Sequence, residues 1–124
     1  MRVCGRDYRA VWWENGDVVV VDQTKLPDRF VLKRLRGYRQ TAEAIRTMVV
    51  RGAGTIGATA AYGMAQAFRQ RADLDEAYRC LLETRPTAVD LKHAIDRVRA
   101  KRMAAEALAE AERIAEEYVQ RGRR

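Results

Sequence analysis

Residues 58–68 read Ala-Thr-Ala-Ala-Tyr-Gly-Met-Ala-Gln-Ala-Phe. Ala58, Ala61, Met64, Ala65 and Phe68 recur at three- and four-residue spacing, and the rest of the surface is almost as apolar. A helix without a polar face has nothing to offer water, so it must lie at the centre of a bundle. Its small side chains let neighbours approach closely. This segment constrains the fold more than any other, because the remaining sequence must then supply helices to surround it.

Those helices are visible as amphipathic stretches. After Gly37 the apolar period changes from two to about three and a half: Ala42, Ile45, Met48 and Val49 share one face, with Glu43, Arg46 and Thr47 on the other. That helix is expected to stop near Arg51-Gly52. Asp73-Leu74-Asp75-Glu76 pairs an N-cap residue with a carboxylate three positions on, and Thr87-Ala88-Val89-Asp90 repeats the pattern after Pro86. The second of these helices takes its stripe from Leu91, Ile95 and Val98. Over residues 103–120, Ala104, Leu108, Ala111, Ala115 and Tyr118 form a last stripe opposite six charged positions, and the polar end 121–124 is expected to fray.

Ahead of Gly37 the pattern is that of strands. Residues 10–13 and 17–21 are rich in β-branched and aromatic side chains, and Asn15-Gly16 between them accepts the positive φ values of a type I′ turn. The polar stretch 22–28 carries Pro27, which has no N–H for a ladder, and Phe30-Val31-Leu32 resumes a strand. Trp12 and Trp13 are consecutive, so one faces inward and the other outward. The fold class is α+β in one domain: a small antiparallel sheet, hairpin plus third strand, over residues 1–36, then a bundle of about five helices over 37–124.

Several function classes are excluded. Of 124 residues 48% are apolar and 33% charged, which suits a packed core and not a disordered tail. The net charge of +7 favours an anionic partner. Its excess is spread out, 9 basic and 5 acidic residues in the first 40 against 15 and 12 in the remainder. No aromatic-interleaved basic patch appears, so nucleic acid is not the expected partner, and Arg97, Arg99, Lys101 and Arg102 read as a solvated helix face. The longest apolar run, 18–21, is far too short to span a membrane, and no signal peptide is seen, so a cytoplasmic protein is expected. Cys4 and Cys80 form no CxxC pair, and the single histidine, His93, has no companions for a ligand set. No metal site is expected, and Cys80 reads as a small buried hydrophobe.

The stretch most suggestive of chemistry is Val50-Arg51-Gly52-Ala53-Gly54-Thr55-Ile56-Gly57. A helix beginning at Gly54 or Thr55 would aim unpaired N–H groups and a positive dipole end at an anion, with Arg51 adding a charged fork. Spacing alone favours the plainer reading, with Gly52 the left-handed C-cap of the preceding helix and Arg51 a surface residue, since the stretch lacks the GK(S/T) of a P-loop. In Glu83-Thr84-Arg85-Pro86-Thr87, proline holds Arg85 extended just before a helix, which either aims its guanidinium or leaves an ordinary loop arginine.

At these same residues the sequence resembles the methylthioribose-1-phosphate isomerase family. The order Trp13-Glu14-Asn15-Gly16, Val21-Asp22-Gln23-Thr24-Lys25-Leu26-Pro27, Ala42-Glu43-Ala44-Ile45-Arg46, Val49-Val50-Arg51-Gly52-Ala53, Ile56-Gly57, Ala60-Ala61-Tyr62-Gly63-Met64 and Arg85-Pro86-Thr87-Ala88-Val89 carries the resemblance along the whole chain. The resemblance implies that Arg51, Gly52, Ala53 and Arg85 bind the phosphate of a sugar-phosphate substrate. It also implies a Rossmann-like second domain, absent here, that supplies a catalytic cysteine and aspartate. No residue of this chain matches that pair, so the chain alone is expected to be inactive. The implied reaction is aldose–ketose isomerisation in methionine salvage, without a cofactor, by a homodimer in the intact family. Gly54-Thr55, where these isomerases usually have proline and alanine, is more similar to ribose-1,5-bisphosphate isomerase. The regulatory subunits of the exchange factor for translation initiation factor two share the superfamily, so a non-catalytic regulatory module is a further alternative.

Overall fold

The computed structural model describes residues 2–3, 6–7, 10–25, 28–85 and 88–122 of the chain. Two short strands, β1 (Arg2–Val3) and β2 (Arg6–Asp7), pair as a separate antiparallel ladder that no patterning in the sequence signals. Strands β3 (Val11–Glu14) and β4 (Asp17–Val21) form the expected hairpin, with Asn15 and Gly16 at φ 53° and 88°. Both values are positive, as the type I′ turn requires. The third strand, β5 (Leu32–Leu35), pairs with β4 from Val21↔Leu32 to Val18↔Leu35.

That third strand starts two residues later than the pattern at Phe30 suggests. Asp22 turns the chain out of the sheet: its carboxylate accepts from the Thr24 amide at 2.9 Å and opens a 3-10 turn, Gln23–Lys25. Its own amide donates to the Val31 carbonyl at 2.8 Å, and only beyond that bond does the ladder resume. Leu26 and Pro27 lie outside the described residues, as do Cys4, Pro86, Thr87 and the terminal Arg123-Arg124.

Val11, Trp13, Val18, Val20 and Leu35 share the inward face by register, and Trp13 packs its ring 5.9 Å from that of Tyr62. Trp12 is the outward member, donating its indole N–H to Glu14 at 3.0 Å. On that face Arg34 bridges Glu14 at 2.8 Å and Asp17 at 3.0 Å.

The bundle comprises α1 (Tyr38–Arg46), α2 (Ala53–Arg69), α3 (Leu74–Leu82), α4 (Val89–Arg99) and α5 (Ala104–Gly122). Helix α2 is the centre that its composition demands: Thr55 and every residue over 57–68 are buried, and the other four helices all pack on it. Helix α1 ends earlier than its apolar period suggests. Thr47 caps it, and Met48 turns left-handed at φ 67°, so Met48 is exposed and not on the core face. The amides of Met48 and Val49 bond back to Ile45 and Ala44, which satisfies the last carbonyls.

Two further expectations need correction. The cap position of α4 is taken by Ala88, with no side-chain cap, and not by Thr87. The Ala88 amide closes a turn on the Arg85 carbonyl at 3.0 Å, which leaves Ala88 extended and delays the helix by one residue. The basic cluster on α4 is also less solvated than charge density alone implies. Arg97 clamps Glu117 with both terminal nitrogens, at 2.9 and 3.0 Å, and Glu110 with Nε at 2.8 Å, while Arg99 reaches Asp75 on α3. Ile114 and Ala107 join the buried face of α5 beside the expected Ala111 and Ala115. Cys80 is half-buried against the core, and burial pushes its thiol above the ordinary value. No described helix is long and apolar enough to cross a membrane.

One polar residue joins sheet to bundle. Gln66, fully buried on α2, accepts from the Thr41 hydroxyl at 2.5 Å and donates to the carbonyls of Leu35 at 2.8 Å and Gly16 at 3.2 Å. The amide thereby ties α1, the end of β5 and the hairpin turn to the central helix. Nothing in its spacing predicts this; the only signal is a glutamine in an otherwise apolar helix.

Candidate functional site

The approach to α2 is held from behind and open in front. Val49 and Val50 are buried, and the Val49 carbonyl accepts from the Gln23 amide at 2.8 Å, so the Asp22-Gln23-Thr24 turn anchors the segment leading to Arg51. Arg51 itself is exposed and has no hydrogen bond or ion pair among the described residues. Gly52 follows at φ 89° and ψ 135°, a conformation that a side chain would strain. It is the N-cap of α2 and not the C-cap of α1, the role that Met48 and its neighbours have taken. A Cβ at Gly52 would meet nothing within 4 Å, so the space before the helix is open.

Helix α2 begins at Ala53, one or two residues before the expected start at Gly54 or Thr55. The first intrahelical bond runs from the Ile56 amide to the Gly52 carbonyl at 2.9 Å, and no side chain caps this end. The amides of Ala53, Gly54 and Thr55 therefore lack the intrahelical partner that every later amide has, and they lie at the positive end of a 17-residue helix. Ala53 is exposed. Thr55 does not turn its hydroxyl back to cap the helix, because that group bonds the Tyr118 hydroxyl of α5 at 2.6 Å.

Arg85 stands on the segment between α3 and α4. It is partly buried, and its Nε is shut off from solvent without a hydrogen-bond partner among the described residues. Packing carries this segment to the same end of the bundle as Arg51. A Cβ on Gly57, one turn into α2, would fall 3.3 Å from the carbonyl oxygen of Asp90, in the first turn of α4. The starts of α2 and α4 are thus neighbours, with Arg51 just before one and Arg85 just before the other. Gly52 and Ala53 are contiguous with Arg51, so all four expected residues belong to this end.

Beside it lies a cavity of about 280 Å³ between α2, α4 and α5, lined by Gly54, Gly57, Asp90, His93, Arg97 and Glu117 among others. Its charges are largely cancelled. The hydrogen bonds of Glu117 hold the Arg97 guanidinium above its ordinary pKa despite partial burial, with Glu110 adding to the effect. Burial pushes the Glu110 carboxyl up, but Arg113 and Arg97 outweigh it and keep it below the usual carboxylate range. The cavity reaches the start of α2, since Ala53 and Gly54 line it, and two carboxylates, Asp90 and Glu117, share its wall with the Arg97 guanidinium. Among the described residues no group of three or more His, Cys, Asp or Glu side chains is placed to hold a metal ion.

Tyr118 also stands at this end, through its hydrogen bond with Thr55. Its position in an apolar stripe marks it as a core residue, and only the fold brings it over the first turn of α2.

Comparison with known proteins finds relatives over most of the chain. Residues 49–124 match the model of the initiation factor 2 subunit family. The chain is 52% identical to a methylthioribose-1-phosphate isomerase of Methylorubrum extorquens and 47% identical to one of Methylobacterium nodulans, in each case over 96% of this chain and 36% of the relative. The chain therefore spans about a third of the length of the curated relatives it matches. Among solved structures it resembles the 5-methylthioribose 1-phosphate isomerase of Pyrococcus horikoshii, with a TM-score of 0.81 and 32% identity over 88% of this chain and 36% of that one. It also resembles translation initiation factor eIF-2B, subunit delta, of A. fulgidus, with a TM-score of 0.71 and 34% identity over 93% of this chain and 37% of that one.

Proposed function

Because this chain belongs to the initiation factor 2 subunit family, we propose that it is the phosphate-binding amino-terminal domain of an aldose–ketose isomerase acting on methylthioribose-1-phosphate. The observation that carries the reading is the open start of α2, with three amides and an Arg51 that have no partner among the described residues and a glycine that leaves room for an anion. A phosphate carrying nearly two negative charges is best held by backbone N–H groups and guanidinium forks together, since charge-assisted bonds are roughly twice as strong as neutral ones. Arg85, whose buried Nε lacks a partner on the adjoining segment, supplies the second fork.

The isomerisation moves a hydrogen between adjacent sugar carbons, which requires positioned acid and base groups. In this reading the domain binds and orients the phosphate end, and a second domain carries the proton chemistry in a cytoplasmic homodimer. The purified 124-residue chain then binds sugar phosphates without turning them over.

Calorimetric titration with methylthioribose-1-phosphate tests the reading. Arg51→Ala is expected to weaken binding by about 1.5–3 kcal/mol, roughly ten- to a hundredfold. Binding that survives substitution of both Arg51 and Arg85 overturns it. The likeness to the A. fulgidus subunit favours a second reading, a non-catalytic regulatory module. That reading gains if the chain binds no sugar phosphate yet forms a complex with initiation factor two. Stronger binding of ribose-1,5-bisphosphate would instead assign the domain to that substrate, as Gly54-Thr55 suggests.

A further inference from the structure

The first turn of α2 is held by a residue sixty-three positions away. The Tyr118 ring lies so close to Gly54 that a Cβ there would fall 2.2 Å from Cδ1 and 2.8 Å from Cε1, a separation no real side chain tolerates. One residue on, the Thr55 hydroxyl bonds the Tyr118 hydroxyl at 2.6 Å. Tyr118 thus touches two of the three residues whose amides are unpartnered. We propose that Tyr118 is a positioning residue for the anion site, fixing the direction of the Gly54 and Thr55 amides and offering a ligand oxygen one hydroxyl proton. The inference rests on the phosphate-binding reading of this end of α2.

Hydrogen-bond arithmetic supports the second half of the proposal. Two hydroxyls carry two protons, and their mutual bond uses one. Neither hydroxyl has another partner as a donor among the described residues. One O–H therefore remains to donate, beside the helix end where an anion is favoured. The first half follows from packing. With the ring against Gly54 and the hydroxyl tied to Thr55, the turn has few ways to rotate, which lowers the ordering cost of ligand binding. A larger residue at position 54 would have to displace the Tyr118 ring.

The test uses inorganic phosphate as the probe and follows the backbone amide resonances of residues 52–55 in the unsubstituted chain and six variants. Tyr118→Phe keeps the ring and removes the hydroxyl; it should preserve the fold with a modestly lower thermal midpoint, since Thr55 loses its acceptor, and weaken phosphate about five- to tenfold. Thr55→Val should weaken phosphate less, because the Tyr118 proton remains to donate, and combining it with Tyr118→Phe should add little, because the latter already removes their shared bond. Gly54→Ala should displace the Tyr118 ring and weaken phosphate, and adding Tyr118→Ala should restore the fold lost to the clash. Phosphate affinity within twofold of the unsubstituted chain in Tyr118→Phe, while Arg51→Ala still weakens it, overturns the inference and leaves the site intact. Absence of phosphate-induced shifts at residues 52–55 in the unsubstituted chain overturns the site itself. In that case equal destabilisation by Gly54→Ala with and without Tyr118→Ala also removes the packing half.

Discussion

Helices α2 and α3 begin in opposite ways. At the start of α3, Asp73 folds its carboxylate back onto the amides of Asp75 at 3.0 Å and Glu76 at 3.2 Å, and two acidic side chains sit in the first turn. At the start of α2 the cap is a glycine, no acidic residue follows in the first turn, and Arg51, without a partner among the described residues, precedes it. The first end is closed by the chain's own anion, whereas the second has every feature that attracts an anion from outside. A helix end without a side-chain cap forgoes about 1 kcal/mol of capping, as the starts of α1 and α4 also do, and in the proposed reading an anion takes the place of the cap at α2.

The same contrast separates two polar groups within the protein. Gln66 is buried with its partners in place, while the Nε of Arg85 is buried without one. Leaving a buried polar group unsatisfied costs about 1–3 kcal/mol, so the first serves stability and the second is expected to serve binding.

Substitution of Gln66 should give the largest effect. Gln66→Leu leaves the Leu35 and Gly16 carbonyls without their donor and is expected to cost about 2–4 kcal/mol, read as a lowered urea midpoint at unchanged slope. Arg51→Ala and Asp73→Ala should then separate cleanly. Arg51→Ala should reduce phosphate affinity by about 1.5–3 kcal/mol with stability within about 0.5 kcal/mol, whereas Asp73→Ala should cost about 1 kcal/mol of stability and leave phosphate affinity alone. Equal loss of phosphate affinity in both variants would mean that the two helix ends do not differ in the way described.

Arg85→Leu gives a smaller and opposite signature. Removing an unsatisfied buried nitrogen should leave stability unchanged or raise it by up to about 1 kcal/mol, while phosphate binds more weakly. A large loss of stability would place Arg85 with Gln66 among the structural groups.

The last test is acid titration. The folded Glu110 carboxyl is held below its ordinary value of 4.5, so its contribution to stability is fully present above that pH and is lost as pH falls through the lower folded value. Asp96, held down first by the Lys92 hydrogen bond and then by that of Tyr78, behaves in the same direction. The thermal midpoint should therefore decline below about pH 4.5, and Glu110→Gln should flatten part of the decline. Phosphate binding should instead weaken already near pH 6, where the ligand's second proton returns. Parallel curves would contradict the division between a structural clamp and a ligand site.

Much of this was legible in the residues. Asn15-Gly16 predicts the hairpin turn because positive φ is cheap for those two residues, and Asp73 predicts its own cap. The half of the site carried by Arg51, Gly52 and Ala53 is contiguous, so one local motif contains it. Arg85 and Tyr118 are different: each reads as an ordinary loop or core residue until α4 and α5 are docked against α2. The late start of β5, the exposure of Met48 and the buried role of Gln66 were hidden for a related reason. Each depends on where a backbone hydrogen bond finds its partner, and those partners lie on other elements.

By itself the amino-acid sequence determined the α+β class and the central place of α2, because periodicity and turn chemistry are local properties; it offered the arginine-flanked start of that helix as one of two readings. Only the tertiary structure decided that the starts of α2 and α4 adjoin, and that Tyr118 stands over Gly54 and Thr55. The reason is that helix packing is set by the summed fit of small side chains across several interfaces, a quantity that no single segment carries.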